Sequence, residues 1–444
     1  MTTAKPRLLV ISGLWPHFRA NREAANVISY LIMLNLARGG AFELAFLCLN
    51  QRPVVMPLAG QPDIDDLKAL GVHFLPEVTV APLPRLRHRL GTFLLALLSG
   101  QWERLVPGYE STAALTSVLR DWKPDAVLTI WSEFATAVVA SLPLPKFAYY
   151  GDLDHNLVLA YLSMLRLQGG RASRGARLWN AVQCIFMPWL AKRCHISLMR
   201  RYAHVWNVAA NDAHAQAQWG IRASYINNIW PSAQRVNWVA ERDQAEQVQP
   251  LKIIASVGSL DGTANTFGLL TLASEILPAL KRRLGDGTFE LHVYGGRSPR
   301  PFVVPYLDDP HIKLRGFVED LDAEIISAPI FLVANNLTDF RVGHTRVLHA
   351  WSLGACVVGF IGFREAMPEM EHGVNVLLSE SAVDLANHVA VAAGDRVLRR
   401  RLGATGLRTL QDKFSPSHVV SRIEQDMLTM VKSPAVGPSE RCLF

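Results

Sequence analysis

Short runs that are apolar at consecutive positions recur along this chain, with helical stretches between them. The first half holds RLLVISG at 7–13, ELAFLCL at 43–49, AVLTI at 126–130 and KFAYY at 146–150. The second half holds KIIASV at 252–257, FELHVY at 289–294, IFLVA at 330–334 and ACVV at 355–358. Runs of this length that do not alternate read as strands covered on both faces, the pattern of a parallel sheet. Between them, Asn26–Ala37, Ala113–Arg120 and Ser132–Ser141 read as helices, and Asp212 is expected to cap another. Strand, helix, strand is the grammar of a doubly wound α/β domain, whose ligands gather at the carboxyl ends of the strands.

That grammar starts twice. At 444 residues the chain is too long for one ordinary core, and two domains of about 200 residues each are expected. Gln234–Pro250 is polar and charged with no apolar period, which places a linker at 234–250. The expected division is therefore an N-terminal Rossmann-like domain at 1–233, the linker, and a second Rossmann-like domain at 251–415. A C-terminal helix crossing back to the first domain, with a frayed tail, fills 416–444. Half of the residues are hydrophobic and 19% are charged, which excludes a disordered chain. Five scattered cysteines with no CxxC or metal spacing suit a reducing cytosol. The N-terminus lacks a signal-peptide layout, and no apolar stretch approaches the ~20 residues of a spanning helix. The formal charge of +7 permits an anionic partner without selecting one. No nucleic-acid recognition motif is present, and the loop after the first strand lacks GxGxxG.

Three stretches carry candidate chemistry. Arg341–Val358 reads as a glycine-bearing loop at Gly343, a helix and a buried strand. A helix starting there aims free N–H groups at whatever lies above it, and Arg346 in its first turn adds a positive charge for a phosphate. The alternative is an ordinary αβ unit with a surface arginine. GSLDGTANTFG at 258–268 follows a strand; Gly258 and Gly262 allow close backbone approach, while Ser259, Thr263 and Asn265 supply hydrogen bonds. GDLDH at 151–155 sits at a strand end, placing Asp152, Asp154 and His155 for chemistry, with a helix-capping aspartate as the alternative. Two basic segments stand apart: 84–100, where arginines precede an apolar run, and 166–201, inside a window from His155 to Asn211 without a single Asp or Glu. Both are cationic and acid-free, and the second carries Trp179 and Trp189; they fit an anionic membrane surface, with a solvated basic face as the alternative.

The order of pieces in the second half resembles family 4 (group 1) of the GT-B glycosyltransferases. SVGSL at 256–260, EILPAL at 275–280, YGGR at 294–297, LRGFVEDL at 314–321, GHTRVLHAWSLGACVV at 343–358 and PEMEHGVNVLL at 368–378 follow that family's sequence of motifs. The resemblance implies two doubly wound Rossmann-like domains facing a central cleft. It implies metal-independent transfer of a hexose-like sugar from a nucleotide-diphosphate donor, UDP- or GDP-sugar, to a saccharide or lipid-linked acceptor, as in polysaccharide biosynthesis. No other cofactor is implied. The donor would lie against the second domain, with Gly258, Ser259, Asn265, Arg297, Gly343, Arg346, His349 and Asn375 around it. The acceptor would lie against the first, with His155 or Asp152 as base. The family places glutamates where this chain has Arg341 and His349; histidine can still both accept and donate toward a ribose. The basic residues usual in the 258–268 loop are absent, and Arg346, Arg297 and Arg341 supply that charge. Location follows as cytoplasmic, peripheral on the inner face of a membrane. A non-catalytic GT-B scaffold and a nucleotide-sugar epimerase are the alternatives. A glycoside hydrolase needs paired carboxylates, which the sequence does not exhibit.

Overall fold

The computed structural model describes residues 5–18, 24–55, 58–80, 86–109, 111–168, 174–233, 235, 237–245, 250–335, 337 and 344–432, with backbone alone at 86–90, 168, 174–181, 245 and 344. The first half folds around a parallel sheet. Its strands are β1 (Arg7–Ser12), β2 (Glu43–Asn50), β3 (His73–Phe74), β4 (Val78–Thr79), β5 (Ala126–Ile130), β6 (Lys146–Tyr150), β7 (His204–Asn207) and β8 (Ala223–Tyr225). Their order is β3-β2-β1-β5-β6-β7-β8, with β4 extending the pairing of β2. Helices α1 (Ala24–Gly39), α2 (Gln61–Ala69), α3 (Leu86–Ser99), α4 (Thr116–Trp122), α5 (Glu133–Val139), α6 (Asp154–Gln168), α7 (Arg174–Met199) and α8 (Ala210–Gln218) connect and cover it. Two-sided burial is visible along β1: Leu8 and Val10 join the core beneath α1, and Leu9 and Ile11 join the core beneath α5, all four fully buried. Each such side chain contributes about 1.5–3 kcal/mol relative to exposure.

The linker stretch carries structure of its own. Helix α9 (Trp238–Ala245) lies where no apolar period marked one. Tertiary contacts hold it. The buried Arg242 guanidinium donates to the carbonyls of Leu353 at 2.9 Å, Ala328 at 3.0 Å and Ile325 at 3.1 Å. Carbonyls at and just past helix ends lack a full set of intrahelical donors, and one planar fork reaches three of them.

The second parallel sheet holds β9 (Leu251–Ser256), β10 (Phe289–Tyr294), β11 (Ile312–Gly316), β12 (Ile330–Val333), β13 (Cys356–Phe360) and β14 (Leu377–Ser379) in the order β11-β10-β9-β12-β13-β14. Around it run α10 (Thr263–Thr271), α11 (Leu277–Leu284), α12 (Leu321–Ile326), α13 (His344–Ser352), α14 (Phe363–Ala366), α15 (Ala382–Gly394) and α16 (Arg396–Lys413). Between α10 and α11 the helix passes through a π turn at Leu272–Ile276. Pro278 follows it, and proline can neither donate to nor fit beneath the carbonyl four residues earlier. The final helix, α17 (Pro416–Lys432), returns to α1: Glu424 accepts the Ala41 N–H at 3.3 Å, and Val419, Val420, Ile423 and Met427 are buried. The protein is thus a pair of doubly wound Rossmann-like domains, and each sheet has a point where the chain reverses direction: β1/β5 in the first, β9/β12 in the second.

Candidate active site

Both reversal points face the same cleft. In the first domain a cavity of about 350 Å³ opens at the ends of β5 and β6, walled by Trp131, Ser132, Glu133, Tyr150, Gly151 and Asp152, with Leu157 of α6 alongside. The second domain contributes Thr345, in the first turn of α13. Asp152 is half-buried, and its carboxyl is pushed up to about 7 by burial, then by Asp212 and Glu133. Glu133 is open to the cleft, but protein crowds its carboxyl; that burial and Asp154 push it up as well, against the opposing pull of His195. The sequence showed no paired carboxylates. The fold creates a pair by bringing the strand ends at 131–133 and 150–152 together.

Asp154 has a different environment. Burial opposes its charge, but the His195 ring, hydrogen-bonded to it at 3.0 Å, together with the Tyr150 hydroxyl, holds the carboxyl below its usual range. The Gln216 amide then donates to His195 Nε2 at 2.9 Å, and the Asn207 amide to Gln216 Oε1 at 3.1 Å. His195, Gln216 and Asn207 are fully buried, so this chain braces the strand ends rather than serving the cleft. Asp212 lies in the first turn of α8 and does not cap it; the helix starts at Ala210, with Ala209 as N-cap.

His155 is not part of the cavity wall. Its ring packs edge-on against Trp219 at 5.4 Å, its Nδ1 is enclosed without a hydrogen-bond partner, and burial followed by His195 and Lys192 pushes it down to about 4. That placement leaves it neutral near pH 7 and packed among α6, α7 and α8. Sequence proximity to Asp152 concealed this, because the strand end and the first helical turn point in different directions.

On the second domain, Gly258 follows β9 with φ of +102°, a region that side chains avoid. A Cβ there would stand 3.6 Å from Asn265 Nδ2 and 3.7 Å from an Arg346 guanidinium nitrogen. Arg346 lines the crevice between the ends of β9 and β12, with Asn265, Gly268 and Asn335. It is half-buried, has no acidic partner among the described residues, and burial pushes it down to about 10.

The other candidates are more committed. Asn265 is buried and clamps the turn, its amide donating to the Ser259 carbonyl at 2.7 Å. The Ser259 hydroxyl donates to Asp261 at 2.6 Å, and Arg297, exposed at the rim, pairs with the same carboxylate at 3.3 Å. His349 is buried, with Nε2 2.7 Å from Asp322 Oδ1 and its ring 5.2 Å from Trp230. Asn375 is spent inside its own loop: Nδ2 donates to the Glu369 carbonyl at 2.8 Å and to Thr409 at 3.1 Å, and Oδ1 accepts from Glu371 N–H at 2.9 Å. Gly343 and Arg341 lie outside the described residues. Among the described residues, no group of three or more His, Cys, Asp or Glu side chains could hold a metal ion.

Trp131 and Glu133 escaped the sequence reading, although the rule that singled out GDLDH, a strand end opening into polar residues, applies equally to IWSE at 130–133. No local signal marked His195, 41 residues from Asp154.

Residues 251–395 match the family model of the glycosyl transferases group 1. No curated protein matches the chain. Among solved structures, sucrose-phosphate synthase from Thermosynechococcus elongatus aligns over 96% of this chain and 99% of its own, at 14% identity and a TM-score of 0.64. HepE of Anabaena, solved in complex with UDP, aligns over 95% of this chain and 100% of its own, at 13% identity and 0.58. A protein described as a putative UDP-N-acetylglucosamine 2-epimerase from Listeria monocytogenes aligns over 97% and 98%, at 10% identity and 0.52. At such identities the likeness is one of fold, and that fold is GT-B.

Proposed function

With a second domain that matches the group 1 glycosyl transferases, we propose that this protein moves a sugar from a nucleoside-diphosphate donor to a saccharide or lipid-linked acceptor. The observation that carries this reading is Arg346. A half-buried guanidinium without a carboxylate partner, beside a side-chain-free turn at Gly258 and in the first turn of α13, awaits an anion. In glycosyl transfer the acceptor oxygen bonds to the anomeric carbon as the bond from that carbon to the diphosphate breaks. The diphosphate leaves with the electron pair, and charge placed there in advance stabilises the transition state. Thr345 faces the first-domain cavity and Arg346 the Gly258 turn, so one helical turn joins the two half-sites. Asp152 rather than His155 takes the acceptor's proton: it faces the cavity, and a carboxyl near 7 suits a base at neutral pH. We assign His349, oriented by Asp322, to the donor ribose, the role that the family resemblance implies. UDP- or GDP-sugar is the donor class.

A membrane-surface role supports the lipid-linked acceptor. Phe93 of α3 meets Phe186 of α7 at 6.0 Å, and Trp189 meets Trp102 at 5.3 Å, so the two basic segments share one face. That face leaves Leu98 86% and Ile185 77% exposed. No acid occurs at 78–102 or 155–211. An apolar face with cationic flanks binds an anionic bilayer from its surface. Among the described residues, no helix is long and apolar enough to cross one.

The test is thermal shift with UDP, GDP, ADP, CMP and their sugars on wild type and Arg346→Ala. One diphosphate is expected to stabilise the wild type, with affinity about 10–100-fold weaker in the variant. No stabilisation by any of them, in either protein, rejects a donor site. Turnover with an acceptor, against isomerisation of the donor alone, separates transferase from epimerase.

A further inference from the structure

Three polar groups on the wall of the first-domain cavity have no partner among the described residues: the Trp131 indole N–H, the Asp152 carboxyl and the Glu133 carboxyl. Several of their neighbours are engaged. Ser132 Oγ accepts the Ala135 N–H at 3.1 Å, the Tyr150 hydroxyl donates to Asp154, and Asn228 Oδ1 accepts from the Tyr149 hydroxyl at 3.0 Å. Trp131 is also strained. Its φ is +41°, a conformation that a bulky residue keeps only where the surroundings enforce it. The indole lies against Gly151, where an added Cβ would stand 3.3 Å from Nε1. Buried polar groups are normally satisfied, so an enclosed N–H beside two unpaired carboxyls asks for a ligand with matching groups.

We propose that this cavity is the acceptor-sugar subsite, that Trp131 and Glu133 determine its specificity, and that the sugar it takes is uncharged. The proposal rests on the glycosyltransferase reading above. A pyranose offers an apolar face of C–H bonds and a rim of neighbouring hydroxyls. The indole supplies a flat apolar surface with one donor, and each carboxylate accepts two hydroxyl protons. The same carboxyls exclude a phosphorylated sugar or a uronic acid, because a third negative group beside Asp152 and Glu133, with Asp212 and Asp154 behind them, meets like charge on every side. The groups nearby that could offset this charge are engaged elsewhere: the His195 ring with Asp154 and Gln216, and Lys192 over the Trp219 ring at 4.3 Å. Trp131 and Glu133 touch the acceptor, whereas Asp152 takes its proton.

The experiment is saturation-transfer NMR on the full chain, with the diphosphate that stabilises it present. The probes are the n-octyl glycosides of glucose, galactose, mannose and N-acetylglucosamine, with glucose 6-phosphate and n-octyl glucuronide as charged counterparts. At least one neutral glycoside is expected to bind, about tenfold more weakly in Trp131→Phe, which keeps a ring but loses the N–H, and in Glu133→Gln. Both variants should keep the thermal shift with the diphosphate, which shows that they are folded and retain the donor site. The charged probes should bind about tenfold more weakly than the best neutral one, with the gap narrowed in Glu133→Gln. The proposal is overturned if no neutral glycoside binds while the diphosphate does, if neither variant changes the affinity, or if the charged probes bind as well as the neutral ones. Failure of every diphosphate to bind would instead reject the transferase reading on which it rests.

Discussion

Asp152→Asn should make the protein more stable, and only above acid pH. The carboxyl moves from its ordinary 3.8 to about 7 in the fold, because burial, Asp212 and Glu133 all penalise its charge. A carboxyl raised in this way binds its proton more tightly in the native state than in the unfolded one. Stability is therefore unaffected below about pH 4, falls as pH rises, and is fully reduced above about pH 7. Full retention of that shift would correspond to roughly 4 kcal/mol. Asp152 is only half-buried and water enters the cleft, so the retained part is on the order of 1–2 kcal/mol. Asparagine resembles the neutral carboxyl in shape and carries no charge. The variant should match wild type near pH 4 and melt roughly 3–5 °C higher near pH 8. The assay is a set of paired melting curves across that range without nucleotide, with turnover measured alongside. Turnover in wild type should rise with pH through about 7, as the base ionises, and be lost in the variant. A stability difference that stays flat with pH, or that reverses at pH 8, would refute the reasoning.

Three further outcomes are expected. Gly295→Ala places a Cβ 2.2 Å from the Gly258 carbonyl, so it should displace the turn beside Arg346 and weaken diphosphate binding about tenfold with no change in charge, read by calorimetry. Glu369 accepts from the Tyr225 hydroxyl at 2.8 Å and from the Asn227 amide across the two domains; Glu369→Ala should lower stability by about 1–3 kcal/mol in urea titration. Leu98→Glu with Ile185→Glu should abolish co-sedimentation with anionic vesicles and leave transfer to a water-soluble acceptor unchanged.

The strands were legible because two-sided burial demands consecutive apolar residues, and β5, β6 and β10 begin and end where the sequence placed them. The region around Arg346 was legible because a strand, a turn and a helix start leave a local pattern. Elsewhere the information is not local. α9 shows no apolar period, and it is held where Trp238 packs against the core and Arg242 satisfies carbonyls some 80 to 110 residues away. Asn375 sits in a recognisable motif, yet its amide serves its own loop, a use that the letters of the motif do not distinguish from ligand contact. The carboxyl pair at Glu133 and Asp152 needs β5 and β6 side by side, and strand adjacency is a property of the sheet rather than of either strand. The backbone of Trp131 illustrates the same limit, since nothing about a tryptophan after an isoleucine announces a left-handed conformation.

The chain passes between the domains twice, once after β8 and again where α16 gives way to α17, and the two passages touch, with the Trp230 N–H donating to the Phe414 carbonyl at 3.4 Å. Two adjacent crossings act like paired pins on one side of a door. They permit a swing about the line that joins them and resist sliding or twisting. Arg346 and Asp152 lie on opposite leaves, so a small rotation alters the gap between them while each leaf keeps its internal geometry. Any opening or closing of the cleft would then run along one coordinate. A cut between Phe414 and Pro416 would remove a pin and free the leaves to twist, with the strand ends intact but no longer facing each other.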